Sequence, residues 1–139
     1  MVLTYVKGDL FTDRRSFLAH CISKDFALGA GIAKQFDKIY DMRYNLKCDY
    51  PDAEVGDALL VDNVFNLVTK NRWYHKPTYD ALKRSLIDMR EQCRELHIQF
   101  IAMPKIGCGL DRLDWNVVES IISSVFADTD IIITIYTLD

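Results

Sequence analysis

Two apolar strand patterns in this chain each run into a loop carrying two glycines and then into a helical pattern. The first, residues 17–22, leads through residues 23–27 into Leu28-Gly29-Ala30-Gly31-Ile32. The second, residues 100–103, leads into Pro104-Lys105-Ile106-Gly107-Cys108-Gly109-Leu110-Asp111. Loops at the carboxyl ends of strands are where open α/β sheets bind ligands. Glycine lets the backbone approach a ligand closely and turn its N–H groups toward an anion. A helix N-terminus behind each loop adds partial positive charge. Two such loops facing each other predict a slot for a diphosphate, whereas either alone reads as a tight turn.

The rest of the chain alternates in the same way. A strand is expected at 3–7 and a helix after Gly31 with Ile32, Phe36 and Ile39/Tyr40 on one face. Strands at 58–62 and 64–69 flank a turn at Asp62-Asn63. A long helix starts near Pro77, and its stripe Leu82, Leu86, Met89, Cys93 and Leu96 has 3.6-residue spacing. A further helix opens at Asp114, a suitable cap, and carries Val118, Ile121, Ile122 and Val125. The last strand is expected at 131–137. Residues 41–57 carry no pattern that assigns them. Strands alternating with helices predict a three-layer α/β/α domain with a mixed central sheet, and short apolar strands predict cover on both faces. At 139 residues, one domain spanning 1–139 is expected.

Several function classes are disfavoured. Lys34 follows Gly31 too closely for a triphosphate-binding P-loop, and no third glycine completes a dinucleotide fingerprint. A net charge of −3 gives no global attraction to nucleic acid or to an anionic membrane, so a polyanion would need a local site. The four cysteines form no C-x-x-C pair and have no histidine cluster beside them, which predicts free thiols and no metal. The chain enters a strand pattern with no secretory leader, and its apolar runs are too short to cross a bilayer. An intracellular protein is expected, cytoplasmic with the nucleus left open, and without membrane attachment.

At this point the residues resemble a known family. Gly8-Asp9-Leu10-Phe11, Leu18-Ala19-His20-Cys21-Ile22-Ser23 with Gly29-Ala30-Gly31-Ile32-Ala33, and the run from Met103 to Leu113 are similar to the ligand loops of macro domains. The run from Thr69 to Tyr79 and Ile135-Tyr136-Thr137-Leu138 look like the terminal ADP-ribose protein glycohydrolase branch. The resemblance implies an ADP-ribose cleft with no cofactor. Asp9 would accept from the adenine amino group beside the Leu10 backbone. Ser23, Ala30, Gly31 and Ile32 would line the distal ribose and diphosphate on one side. Lys105, Ile106, Gly107, Cys108, Gly109 and Leu110 would wrap the other, and Leu138 would close the adenine end. The branch uses a lysine and an aspartate to release ADP-ribose from acidic side chains, and the matching positions are Lys70 and Asp111. Taken alone, Lys70 reads as a solvated lysine at a strand end. A neutral amine can attack an anomeric carbon, and nearby cations depress a lysine's pKa; Lys105 and Arg112 are the candidates.

Other residues compete for a role. Cys108 invites a thiol-nucleophile reading with His20 or His75, against the simpler reading of a small residue packed between glycines. His75 reads as a loop residue orienting the Lys70 segment. Trp73 and Tyr74 are either exposed partner contacts or half-buried packing. Lys70, Arg72, His75, Lys76, Lys83 and Arg84 form a basic run in an acidic protein, either a solvated face or a steering surface. The expected function is removal of mono-ADP-ribose from glutamate and aspartate esters of modified proteins, by a monomer. The alternatives are removal of ADP-ribose from DNA bases, hydrolysis of O-acetyl-ADP-ribose or ADP-ribose 1″-phosphate, and a non-catalytic ADP-ribose reader.

Overall fold

Strands joined through helices pair in parallel, because the return path of the helix brings the next strand back in the same direction. The computed structural model describes residues 1–138. Its sheet contains β1 (Val2–Lys7), β2 (Phe17–Ser23), β3 (Ala58–Val61), β4 (Val64–Lys70), β5 (Phe100–Met103) and β6 (Ile132–Thr137). They lie in the order β1-β6-β5-β2-β4-β3. Neighbours run parallel except β3 and β4. These two are joined by a tight turn in which Asp62 takes a left-handed φ of 51°, as short hairpin turns require.

Helices α1 (Gly31–Tyr40) and α2 (Met42–Asp49) cover one face; α3 (Tyr79–Leu96) and α4 (Trp115–Phe126) cover the other. Period-two alternation along the strands divides the residues between two cores. Ala19 of β2 and Ile101 and Met103 of β5 pack toward α3 and α4 with Leu82, Leu86, Met89, Val118 and Ile122. Leu18 and Ile22 of β2 and Ala102 of β5 pack toward α1 and α2 with Phe36, Met42 and Leu46. The three-layer α/β/α architecture and the mixed sheet are as expected.

Three local expectations need correction. Residues 42–49 form α2, whose only buried side chains are Met42 and Leu46, one turn apart; a stripe of two residues is too short to register as periodicity. Helix α3 begins at Tyr79 rather than near Pro77, because the Thr78 side chain accepts from the Ala81 N–H and caps the helix there. Strand β1 is an edge with mostly exposed residues, so cover on both faces holds for the central strands and not for β1.

One buried polar group sits between β2 and α1. The His20 ring stacks on Phe36 at 4.0 Å, its Nε2 lies 2.5 Å from Asn66 Oδ1, and its Nδ1 has no partner. Burial pulls its pKa down to about 4, against the Asn66 bond, which raises it. An unfolded histidine titrates near 6.5. Between these values the unfolded chain binds a proton that the folded chain refuses, so stability falls as pH drops from about 6.5 toward 4, by at most roughly 3 kcal/mol. Urea unfolding in this window should show that slope for the wild type and a flatter one for His20→Phe. Equal slopes would show that His20 is not the group responsible.

Candidate functional site

Strands β2 and β5 are neighbours, run parallel, and end at the same edge of the sheet. Their helices diverge: β2 continues into α1 on one face, β5 into α4 on the other. Such a divergence opens a crevice above the strand ends. Both glycine loops border it, and they lie close together: a Cβ added to Gly31 would come within 3.7 Å of Leu110 Cδ1.

The two loops offer N–H groups by different means. Helix α1 has Ala30 at its N-cap, with no side-chain cap bond, and its first residue, Gly31, takes a left-handed φ of 57°. The first backbone bond there runs from Lys34 N–H to Ala30 O. Among the described residues the N–H groups of Gly31, Ile32 and Ala33 bond no protein acceptor, which leaves an open helix N-terminus for an anion. Helix α4 differs from expectation. Its cap Asp114 accepts from Asn116 N–H, so the protein satisfies that end itself. The second loop instead folds on itself through Cys108 N–H to Lys105 O and Leu113 N–H to Gly107 O. This leaves the N–H groups of Gly109, Leu110 and Asp111 unbonded among the described residues.

The adenine-end candidates also meet. Gly8 N–H donates to Thr137 O, which sets the 8–10 segment beside the end of β6. Asp9 Oδ1 caps the short 3₁₀ turn Leu10–Thr12 through Phe11 N–H, while Leu10 is buried. Leu138, which follows Thr137, is 82% exposed.

Lys70 and Asp111 lie 41 positions apart and form a close pair, Nζ to Oδ1 at 2.6 Å. Both side chains are largely buried, and Lys70 Nζ also donates to Trp73 O at 2.9 Å. The group facing Lys70 is thus a carboxylate. The two expected cations lie elsewhere in the site: Lys105 Nζ stands over the Trp115 ring at 6.0 Å, and Arg112 lines a cleft beside Asp111. There Tyr74, His75 and Lys76 face Leu110, Asp111 and Arg112 across a cleft of about 300 Å³. A larger hollow of about 520 Å³ lies at the opposite end of the sheet, between the end of α3 and the start of β6, away from both loops.

The hydrogen bonds of the described residues give the Cys108 thiol no histidine partner. His20 is fully buried under α1 and His75 is exposed. Burial, with Asp114 adding to it and Lys105 opposing it, pushes the Cys108 thiol above its ordinary range. The Cys108 Sγ donates to Ile106 O, the role of a small packed residue. All four cysteines are free. Trp73 and Tyr74 are 64% and 66% exposed and meet edge to face. Arg84 leaves the basic run, bonding Asp80 and Val55 O.

Sequence reasoning missed Asp25. It accepts from Ser23 Oγ, from Ala27 N–H and from Trp73 N–H. An acid two residues after a serine signals a local turn, but its bond to Trp73, 48 positions away, carries no sequence signal.

Comparison with known proteins agrees with this geometry. The family described as Macro domain matches residues 19–122. The chain belongs to the macro domain family. This macro domain is 45% identical to ADP-ribose glycohydrolase OARD1 of Homo sapiens, over 98% of this chain and 91% of that protein. It is 30% identical to the DNA ADP-ribosyl glycohydrolase of Mycobacterium tuberculosis, over 90% of this chain and 39% of that protein. The solved macrodomain of Mycobacterium tuberculosis DarG superposes with a TM-score of 0.87 at 30% identity, covering 97% of each chain.

The glycines of the second loop of this macro domain should respond differently to a methyl group. At Gly107, with φ 72°, a Cβ would lie 2.8 Å from the buried Leu113 Cδ1. Gly107→Ala should cost about 1–3 kcal/mol from strain and overpacking. At Gly109 a Cβ meets nothing within 4 Å, so Gly109→Ala should stay within about 0.5 kcal/mol of wild type. Denaturant midpoints compare the two, and equal losses would contradict this loop geometry.

Proposed function

We propose that this macro domain is an ADP-ribosyl glycohydrolase that releases mono-ADP-ribose from glutamate and aspartate esters, with Lys70 as nucleophile and Asp111 as proton carrier. The observation that carries the reading is the Lys70–Asp111 pair at the end of the crevice between the two glycine loops. The names of the relatives support the same chemistry.

The diphosphate would lie between the Gly31–Ala33 and Gly109–Asp111 N–H groups, with Asp9 and Leu138 at the adenine end and Ser23 near the distal ribose. Lys70 Nζ gives a proton to Asp111, which is already in hydrogen-bond contact. The freed lone pair attacks the anomeric carbon. As the N–C bond forms, the C–O bond to the side-chain carboxylate breaks, and that group leaves with the electron pair. Water then adds at the same carbon as the C–N bond breaks and its electron pair returns to Nζ; Asp111 gives its proton to Nζ, takes the proton lost by the water and releases it to solvent, which restores the pair and frees ADP-ribose. A carboxylate is a far better leaving group than a serine alkoxide or a neutral guanidine, so serine and arginine linkages should be spared.

A second reading, removal of ADP-ribose from a DNA base, is favoured by one surface. Trp73 and Tyr74 are exposed beside Arg72, Lys76 and Arg112, an aromatic and cationic rim of the kind that holds single strands. Salt separates the two. Cleavage of a DNA substrate should fall steeply between 50 and 200 mM salt, following the counterion law, and a short glutamate-linked peptide should respond weakly. A peptide substrate left untouched while DNA is cleaved would select the second reading.

Lys70→Ala should abolish turnover while ADP-ribose still binds with micromolar affinity, about 8 kcal/mol. More than about a tenth of the wild-type rate, a loss below 1.4 kcal/mol, would remove Lys70 as nucleophile. Asp111→Ala should slow release more than attack, because water can still take the Nζ proton whereas the adduct loses the group that resolves it, so ADP-ribose should accumulate covalently on Lys70, read by intact mass and peptide mapping. Full turnover with no adduct would remove Asp111.

A further inference from the structure

Each oxygen of the Asp25 carboxylate is committed to a different part of the site. Oδ1 accepts from Ser23 Oγ and from Ala27 N–H at 3.2 Å, both in the first ligand loop. Oδ2 accepts from Trp73 N–H at 2.9 Å. The carbonyl of that same Trp73 accepts from Lys70 Nζ. One carboxylate therefore joins the loop expected to line the distal ribose to the segment that holds the nitrogen expected to attack it.

The surroundings of Asp25 are built for a charged, fixed acceptor. Burial would push its pKa up, but the bonds from Ser23, Trp73 and Ala27 and the nearby Arg72 charge outweigh it and hold the carboxyl below its ordinary range. The backbone that follows is held in an unfavourable form. Phe26 and Leu28 take left-handed φ values of 53° and 42°, with both side chains buried in the α1 core. Side chains with a Cβ resist that conformation, so packing below and hydrogen bonds above must impose it. On the other side, Lys24 N–H donates to Lys70 O just past the irregularity in the β2–β4 register. Lys70 is thereby pinned at its backbone beside Asp25 and at its nitrogen through Trp73.

We propose that Asp25 is a positioning residue for Lys70. Through Trp73 it fixes one of the Nζ hydrogen directions, while Asp111 fixes a second, so that the nitrogen is oriented toward the anomeric carbon before the substrate arrives. Asp25 touches no reacting atom; its effect passes through the Trp73 backbone, from the N–H that it binds to the carbonyl that Lys70 binds. This rests on the assignment of Lys70 as nucleophile.

Asp25→Asn is the sensitive variant, because it keeps the shape. An amide offers one oxygen and one NH₂, so one side must place a donor against a donor, either at Trp73 or at Ser23 and Ala27. The expected result is a kcat at least tenfold lower, with an ADP-ribose Kd within threefold of wild type and a melting temperature within a few degrees. In the Asp111→Ala background, adding Asp25→Asn should slow adduct formation on Lys70 by a similar factor, isolating the attack step. Asp25→Glu should not restore the rate, since the longer chain displaces both sets of bonds. Retention of more than half the wild-type kcat in Asp25→Asn would overturn the proposal. So would a Kd that weakens in step with kcat, which would make Asp25 a support of the binding loop alone. If Asp25→Asn does not fold, Asp25 is a structural residue and the proposal also fails. Lys70→Ala assayed in parallel separates the two hypotheses: if it retains turnover, the nucleophile assignment falls, whatever Asp25→Asn does.

Discussion

The site depends on the parallel pairing of β2 with β5 and the departure of their helices to opposite faces. That arrangement puts two glycine loops side by side above the sheet and leaves a crevice between them. Neither loop could form the slot alone. The first contributes an open helix N-terminus at Gly31. The second contributes N–H groups from a loop closed on itself, since Asp114 has already capped α4. The two sides thus reach similar donor arrays by different routes.

The ion pair between Lys70 and Asp111 has a value beyond stability. Isolated partly buried pairs are poor stabilisers, because desolvation offsets their attraction. This one brings a potential nucleophile into direct contact with a group that can take its proton. Lys70 arrives on the last residue of β4, and Asp111 arrives on the loop after β5, two strands away. The sheet supplies the rigidity that such a contact needs, and the Trp73 carbonyl supplies the second restraint on the nitrogen.

Much of the fold was legible because its signals are local. Apolar strand runs, the α3 stripe and the Asp114 cap each depend on neighbours within a few residues. Helix α2 was not legible, since Met42 and Leu46 alone carry its buried face. At the site, the glycine loops could be read from the chain as a diphosphate slot, whereas Lys70 could be named only through family resemblance. A lysine at a strand end has no pattern of its own. Asp25 was missed altogether, because its meaning lies in Trp73, far along the chain.

The sequence by itself determined the layer architecture, the positions of both glycine loops and the family, because periodicity, turn chemistry and motif spacing act over short stretches. Only the tertiary structure decided which charge faces Lys70, which helix N-terminus stays open, that the Cys108 thiol packs on the Ile106 carbonyl, and that Asp25 joins two segments of the site. Each of these depends on groups brought together across the sheet, and Coulomb and hydrogen-bond energies follow distance in space rather than along the chain.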